Sequence, residues 1–148
     1  MIYWDTSCAV KLYASEPDSS HWSRFIADSD DDHVSSALLD LELTCAFRQK
    51  ESRGHLKSGG AGKLLLDFRN DVRLGHFQLF PVGADVLARA TQIVENCGRQ
   101  RPSVVLRTLD GIHLATAKLL NCSAIATTDE RMKQAAKIAG IQVQEYRP

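Results

Sequence analysis

No two cysteines in this sequence are spaced as C-x-x-C; Cys8, Cys45, Cys97 and Cys122 lie far apart. That spacing excludes a zinc ribbon and a thioredoxin-like redox motif, and it suits a reduced, cytosolic protein better than a disulfide-built one. Net charge is missing too. The 18 Lys and Arg balance the 18 Asp and Glu, so a nucleic-acid partner would be met by a local basic surface and not by the field of the whole molecule. This weighs against a sequence-reading DNA binder. Long apolar runs are also lacking: Asp5 and Lys11 interrupt the amino-terminal stretch as a signal-peptide core, and no later run reaches the ~20 residues that a membrane-spanning helix needs. Secretion and membrane insertion are not expected. Internal repeats and low-complexity tracts are likewise absent from the sequence.

What is present is a chain of 148 residues, 44% of them hydrophobic, enough for one core with little length left for another. One domain, 1–148, is expected. Met1 to Trp4 is a short apolar run ended by Asp5-Thr6-Ser7, and Ala9, Val10, Leu12 and Tyr13 then follow with helical spacing as far as Pro17. Residues 21–27 fit a second helix. The acidic cluster Asp28, Asp30, Asp31 and Asp32 reads as a solvated loop leading to His33-Val34-Ser35. Ser35 and Ser36 can cap a long helix over 37–51, and Gly59, Gly60 and Gly62 mark a turn before a helix through Leu64, Leu65 and Phe68. Beyond this helical hairpin the periodicity predicts a strand at 77–82, helices at 84–96 and 106–120, and a strand at 124–127. A helix at 129–139, closed by Gly140, then leads to a last strand at 141–146. Strands alternating with helices indicate an α/β fold, a three-layer sandwich with a central, mostly parallel sheet. Ligands gather at the carboxyl ends of such strands.

Four carboxylates take on weight in that frame. Asp5 follows the first strand and precedes a helix, so alone it serves equally as a helix cap or a metal ligand, and Thr6 or Ser7 can cap in its place. Asp129 stands in the same position after Thr127-Thr128, with Glu130-Arg131 opening the next helix. Glu42 is more telling, because its helical neighbours Leu38, Leu39, Cys45 and Ala46 are apolar. A carboxylate facing the core needs a lysine, an arginine or a metal as its partner. Asp110 shares a face with His113, Leu114 and Ala117, although a place near a helix amino terminus also accounts for an acid there. If all four meet over one sheet edge, their repulsion calls for a hard, oxygen-preferring divalent cation.

The segments Trp4-Asp5-Thr6-Ser7-Cys8-Ala9-Val10-Lys11-Leu12-Tyr13, Leu39-Asp40-Leu41-Glu42-Leu43, Leu109-Asp110-Gly111-Ile112-His113-Leu114-Ala115-Thr116-Ala117 and Thr127-Thr128-Asp129-Glu130-Arg131 resemble the four blocks of the PIN domain. Toxins of the VapBC type are the nearest group. The resemblance runs over essentially the whole chain in order and spacing, and it is the conjunction of blocks that is specific. It implies a PIN-like, Rossmann-like fold and an endoribonuclease acting on RNA, with Asp5, Glu42, Asp110 and Asp129 holding one or two Mg²⁺ or Mn²⁺ ions and Thr6 and Thr127 in support. It further implies products with 5′-phosphate and 3′-hydroxyl ends, a cognate antitoxin that covers the acidic pocket, and a homodimer. The chain departs from the pattern at Gly111, where alanine is common, a change that loosens a helix by up to ~1 kcal/mol.

Other features read more plainly. His113 can shuttle a proton, but packing and hydrogen bonding account for it better. Asp40, the rival of Glu42, has Ser36 and Thr44 beside it on the helix and is expected to face solvent. From Arg48 to Arg73 the hairpin also carries Lys50, Arg53, Lys57, Lys63 and Arg69, either as a basic surface for RNA or merely as a solvated face. Gly59-Gly60-Ala61-Gly62-Lys63 is not a phosphate loop, since Leu64 stands where the motif needs Ser or Thr. A phosphatase with an aspartate nucleophile would want an acid where Ser7 stands. The competing reading is a catalytically silent PIN-like module that uses its acids to bind a partner protein or RNA.

Overall fold

A computed structural model describes residues 1–144. Five strands form one sheet: β1 (Ile2–Trp4), β2 (His33–Ser36), β3 (Gln78–Phe80), β4 (Ala124–Ala126) and β5 (Gln142–Gln144). The order is β3-β2-β1-β4-β5, and every neighbouring pair is parallel. The expected last strand, 141–146, is seen as β5, and its final two residues, Glu145 and Tyr146, lie outside the described residues. Seven helices accompany the sheet: α1 (Thr6–Tyr13), α2 (Ser19–Asp28), α3 (Leu38–Ser52), α4 (Gly60–Leu74), α5 (Ala84–Gly98), α6 (Thr108–Leu119) and α7 (Glu130–Ile138).

Strand β1 shows why the sheet is covered on both faces. All three of its residues are buried, and successive side chains of a strand point to opposite sides. Ile2 and Trp4 therefore join the core formed with α1 to α4, whereas Tyr3 joins the core formed with α5, α6 and α7. The result is the three-layer sandwich expected. Trp4 anchors its side by edge contacts with Trp22 at 5.8 Å and Phe77 at 6.1 Å between ring centroids. Full burial of such a side chain contributes about 1.5–3 kcal/mol. No helix among the described residues is long and apolar enough to cross a membrane.

One element departs from expectation. His33 to Ser36, where Ser35 and Ser36 are expected to cap the following helix and no strand is expected, is a buried internal strand. Its polar groups are only partly satisfied: Ser35 Oγ donates to the Trp4 carbonyl at 2.7 Å and the Ser36 N–H donates to the Tyr3 hydroxyl at 3.0 Å, whereas the Ser36 hydroxyl is buried without a partner among the described residues. Neither caps α3, which begins after Ala37 with no side-chain cap.

Strand order reverses between β1 and β4: the chain runs outward from β1 to β2 and β3, then crosses to β4 and β5 on the other side. Diverging connections leave a crevice beyond the carboxyl ends of the strands at such a point. The register pairs Trp4 with Ala126, so the next residues on the two strands, Asp5 and Thr127, emerge side by side at that crevice.

Candidate active site

Asp5 is buried, 8% exposed, and forms no helix cap. Its Oδ2 instead accepts hydrogen bonds from Ser7 Oγ and Thr127 Oγ1, each at 2.7 Å. Both hydroxyl oxygens are themselves held by main chain, since the Thr128 N–H donates to Ser7 Oγ at 2.9 Å and the Asp129 N–H donates to Thr127 Oγ1 at 3.2 Å. The loops after β1 and β4 are thus tied together through one carboxylate oxygen. Thr127, expected in support of the site, is thus bonded to Asp5. Nothing in the sequence reading gives Ser7 a part in the site; an acid at a strand end followed two residues later by a hydroxyl is the signal that could have found it.

Asp129 caps α7, with Oδ1 accepting from the N–H groups of Arg131 at 2.8 Å and Met132 at 3.2 Å. The cap leaves Oδ2 to the crevice side, with Arg131 Nη2 3.8 Å away. Capping therefore accounts for only one of the two oxygens of Asp129. Asp110, in the first turn of α6, accepts from the Arg107 N–H at 3.1 Å. Burial pushes its carboxyl above the ordinary range, the Arg107 N–H bond works the other way, and the negative charges of Asp129 and Asp5 push it further up. Asp110 thus feels the charge of two acids from distant parts of the chain.

Glu42 is placed differently. Both of its hydrogen bonds fall on Oε2, from Thr6 Oγ1 at 2.6 Å and from His113 Nε2 at 2.6 Å. Sequence reasoning called for a lysine, an arginine or a metal here, and the protein partner found is a histidine. His113 is 1% exposed and lies 2.7 Å from the Tyr3 hydroxyl through Nδ1. Burial disfavours the imidazolium, but Tyr3, Glu42 and Asp5 outweigh it and hold His113 up to about 10. Burial likewise disfavours the Glu42 carboxylate, and the bonds from His113 and Thr6 still carry it below its ordinary range. Tyr3 carried no functional signal, being one apolar-strand residue among four. Asp40 turns away as expected, to a two-pronged ion pair with Arg69 at 2.8 and 3.0 Å.

Among the described residues no group of three or more His, Cys, Asp or Glu side chains is poised to hold a metal ion directly. A hard divalent cation does not need one, because Mg²⁺ commonly takes one or two carboxylates and keeps several waters. The donor chemistry fits such an ion: hard oxygens only, and an Asp110 carboxyl raised by burial and by the charges of Asp129 and Asp5 in spite of Arg107. A second acidic hollow, about 440 Å³, opens at the opposite strand ends and is lined by Asp31, Asp32, His33, Asp71 and His76. Its acids are largely spoken for, Asp31 by the terminal amino group at 3.1 Å and Asp71 by the Tyr13 hydroxyl at 2.8 Å. The crevice at β1 and β4 is the better candidate.

The sequence profile of the PIN domain matches residues 2–138. Ribonuclease VapC46 of Mycobacterium tuberculosis is 34% identical over 144 residues, covering 96% of this chain and 95% of that protein. Ribonuclease VapC35 of the same species is 28% identical over 153 residues, covering 97% and 95%. Among solved structures, FitAcB from Neisseria gonorrhoeae superposes with a TM-score of 0.69 at 21% identity, covering 98% of this chain and 97% of that one. Mycobacterium tuberculosis VapC20, a toxin that cleaves the sarcin-ricin loop, does so with a TM-score of 0.64 at 17% identity, covering 91% and 95%. At these identities the two structures attest to the fold.

Proposed function

The chain belongs to the PIN domain family, and on that premise we propose that it is a metal-dependent endoribonuclease, the toxin of a toxin–antitoxin pair, with Asp5, Glu42, Asp110 and Asp129 as its acidic centre. The observation that carries the reading is that Ser7 and Thr127 tie Asp5 across the ends of β1 and β4, where the strand order reverses, with Asp110 and Asp129 close enough that Asp110 feels the charge of both other acids. The names of the relatives support the activity.

In this reading Asp5, Asp110 and Asp129 hold Mg²⁺ or Mn²⁺, with Glu42 at the margin. Lewis acidity toward the scissile phosphodiester and the attacking water comes from the cation when bound. The protein's own contribution is preorganisation. Ser7 and Thr127 fix one oxygen of Asp5 and leave Oδ1 to the crevice, while Asp129 spends Oδ1 on its helix and offers Oδ2. Arg107 and Arg131, beside Asp110 and Asp129, supply positive charge where RNA phosphates approach. The same acids suit a basic segment of a cognate antitoxin, whose docking would cover the crevice. We extend the proposal to a cytoplasmic homodimer.

The test is cleavage of a single-stranded oligoribonucleotide. Mg²⁺ or Mn²⁺ should support it, EDTA should stop it, and Asp5→Asn should lower kcat by ~100-fold or more while the protein still melts cooperatively. Cleavage that survives EDTA would overturn the reading. Tight binding of RNA or antitoxin with no cleavage under any divalent ion would turn it into the silent-module alternative.

A further inference from the structure

Glu42 and His113 come from opposite helical layers, α3 and α6, and meet beside the carboxyl end of β1. The contact continues inward. His113 is 1% exposed and Tyr3 fully buried, and the Tyr3 hydroxyl, 2.7 Å from His113 Nδ1, also accepts from the Ser36 N–H on the neighbouring strand. A row of hydrogen bonds thus runs from β2 through Tyr3 on β1 and His113 on α6 to Glu42 on α3. The same strand β1 ends at Asp5, and Thr6, the residue after it, donates to the oxygen of Glu42 that His113 holds.

We propose that Tyr3 and His113 are positioning residues that clamp Glu42 against the acidic crevice, so that strand β1 sets the placement of both Asp5 and Glu42. A glutamate side chain has three rotatable torsions, and leaving it free costs order at the site each time a cation or substrate arrives. Two bonds of 2.6 Å on one oxygen remove most of that freedom, and Oε1 is the oxygen left for the site. Partners that orient ligating groups in this way carry 10–100-fold in metal affinity or activity in comparable sites. A core histidine with no role beyond packing would have no need of a carboxylate at the crevice, nor of a tyrosine behind it.

The inference rests on the reading of the site as a metal-dependent nuclease, and the experiment separates the two. Tyr3→Phe is the decisive variant because its hydroxyl touches His113 and not Glu42. His113→Gln keeps a donor for Glu42 and serves as the conservative partner. Mn²⁺ binding is measured by calorimetry without RNA, and cleavage kinetics are measured on an oligoribonucleotide, for variants shown to melt cooperatively. Tyr3→Phe should weaken Mn²⁺ binding or lower kcat by ~10–100-fold with KM within ~2-fold of the parent, and His113→Gln should fall between the two. If Tyr3→Phe does not fold, His113→Gln decides alone, with a loss of at least several-fold expected. A folded variant with the parent's Mn²⁺ affinity and kcat overturns the clamp and leaves the nuclease reading intact. A parent protein that neither binds Mn²⁺ nor cuts RNA overturns both.

Discussion

A buried histidine and a half-buried glutamate in contact make folding depend on pH from two sides. His113 sits at about 10 in the folded chain against an ordinary 6.5, so its contribution is whole below about pH 6.5 and disappears as the pH climbs through 10. Glu42 lies below its ordinary 4.5, so its contribution is present above that value and disappears as the pH falls through the folded one. Stability should therefore be flat near pH 5–6.5 and decline on both sides, read as the urea midpoint across pH 3–10. Glu42→Gln should lower the unfolding free energy by about 1–3 kcal/mol near pH 6 and flatten the alkaline decline, because the imidazolium has lost its counter-charge. An alkaline limb unchanged in Glu42→Gln would mean that the pair does not couple to folding. At this scale the sequence was informative in an uneven way. The four acids could be named from their places after strands and on apolar helix faces, but the Tyr3–His113–Glu42 row joins residues 110 and 71 positions apart, and no local pattern reports a contact of that kind.

Elements long enough to show a period were legible; the strand that was not, β2, explains why. Its four residues include a histidine and two serines; His33 Nδ1 accepts from Trp4 Nε1 and Ser35 Oγ donates to the Trp4 carbonyl, while His33 Nε2 and Ser36 Oγ are buried without a partner among the described residues, so composition disguises complete burial. Helix α6 shows the reverse case, a residue whose local cost is known but whose reason is tertiary. A Cβ at Gly111 would come within 2.9 Å of Val94 Cγ2 and 3.8 Å of Ala90 Cβ on α5. The glycine thus gives up about 1 kcal/mol of helix propensity so that α5 and α6 can approach closely. Gly111→Ala should accordingly fail to stabilise and should instead lower stability by about 1–2 kcal/mol, since overpacking costs more than propensity returns. Adding Val94→Ala should recover part of that loss, with a favourable coupling of at least ~0.5 kcal/mol in a double-mutant cycle by thermal or urea melts. Strict additivity would place the cost of Gly111→Ala elsewhere than in this helix contact.

For the molecule as a whole, a net charge of zero means that RNA must be drawn by a few cations in the right place. The helical hairpin, with its many Lys and Arg, reads from the sequence either as such a surface or as a solvated face. In the fold much of that charge is answered internally: Arg48 by Glu51 at 3.0 Å, Lys50 by Glu16 at 2.6 Å and Arg69 by Asp40 at 2.8 Å. Arg107 and Arg131 are fewer but stand at the acidic crevice, Arg131 42% exposed and Arg107 exposed at the start of α6. Cations beside the reacting phosphate should matter more than cations on a distant hairpin, and salt dependence separates the two, because each phosphate neutralised on a single strand contributes about −0.7 to the slope of log K against log salt. In an Asp5→Asn background, where bound RNA is not cut, Arg107→Ala and Arg131→Ala should each weaken binding to an oligoribonucleotide and make the slope shallower by about 0.7, as fluorescence anisotropy from 50 to 300 mM salt would read. Lys57→Ala with Lys63→Ala on the hairpin should leave the slope as it was. The opposite pattern, a slope set by the hairpin lysines and indifferent to the two arginines, would move the RNA path onto α3 and α4, away from the ends of β1 and β4.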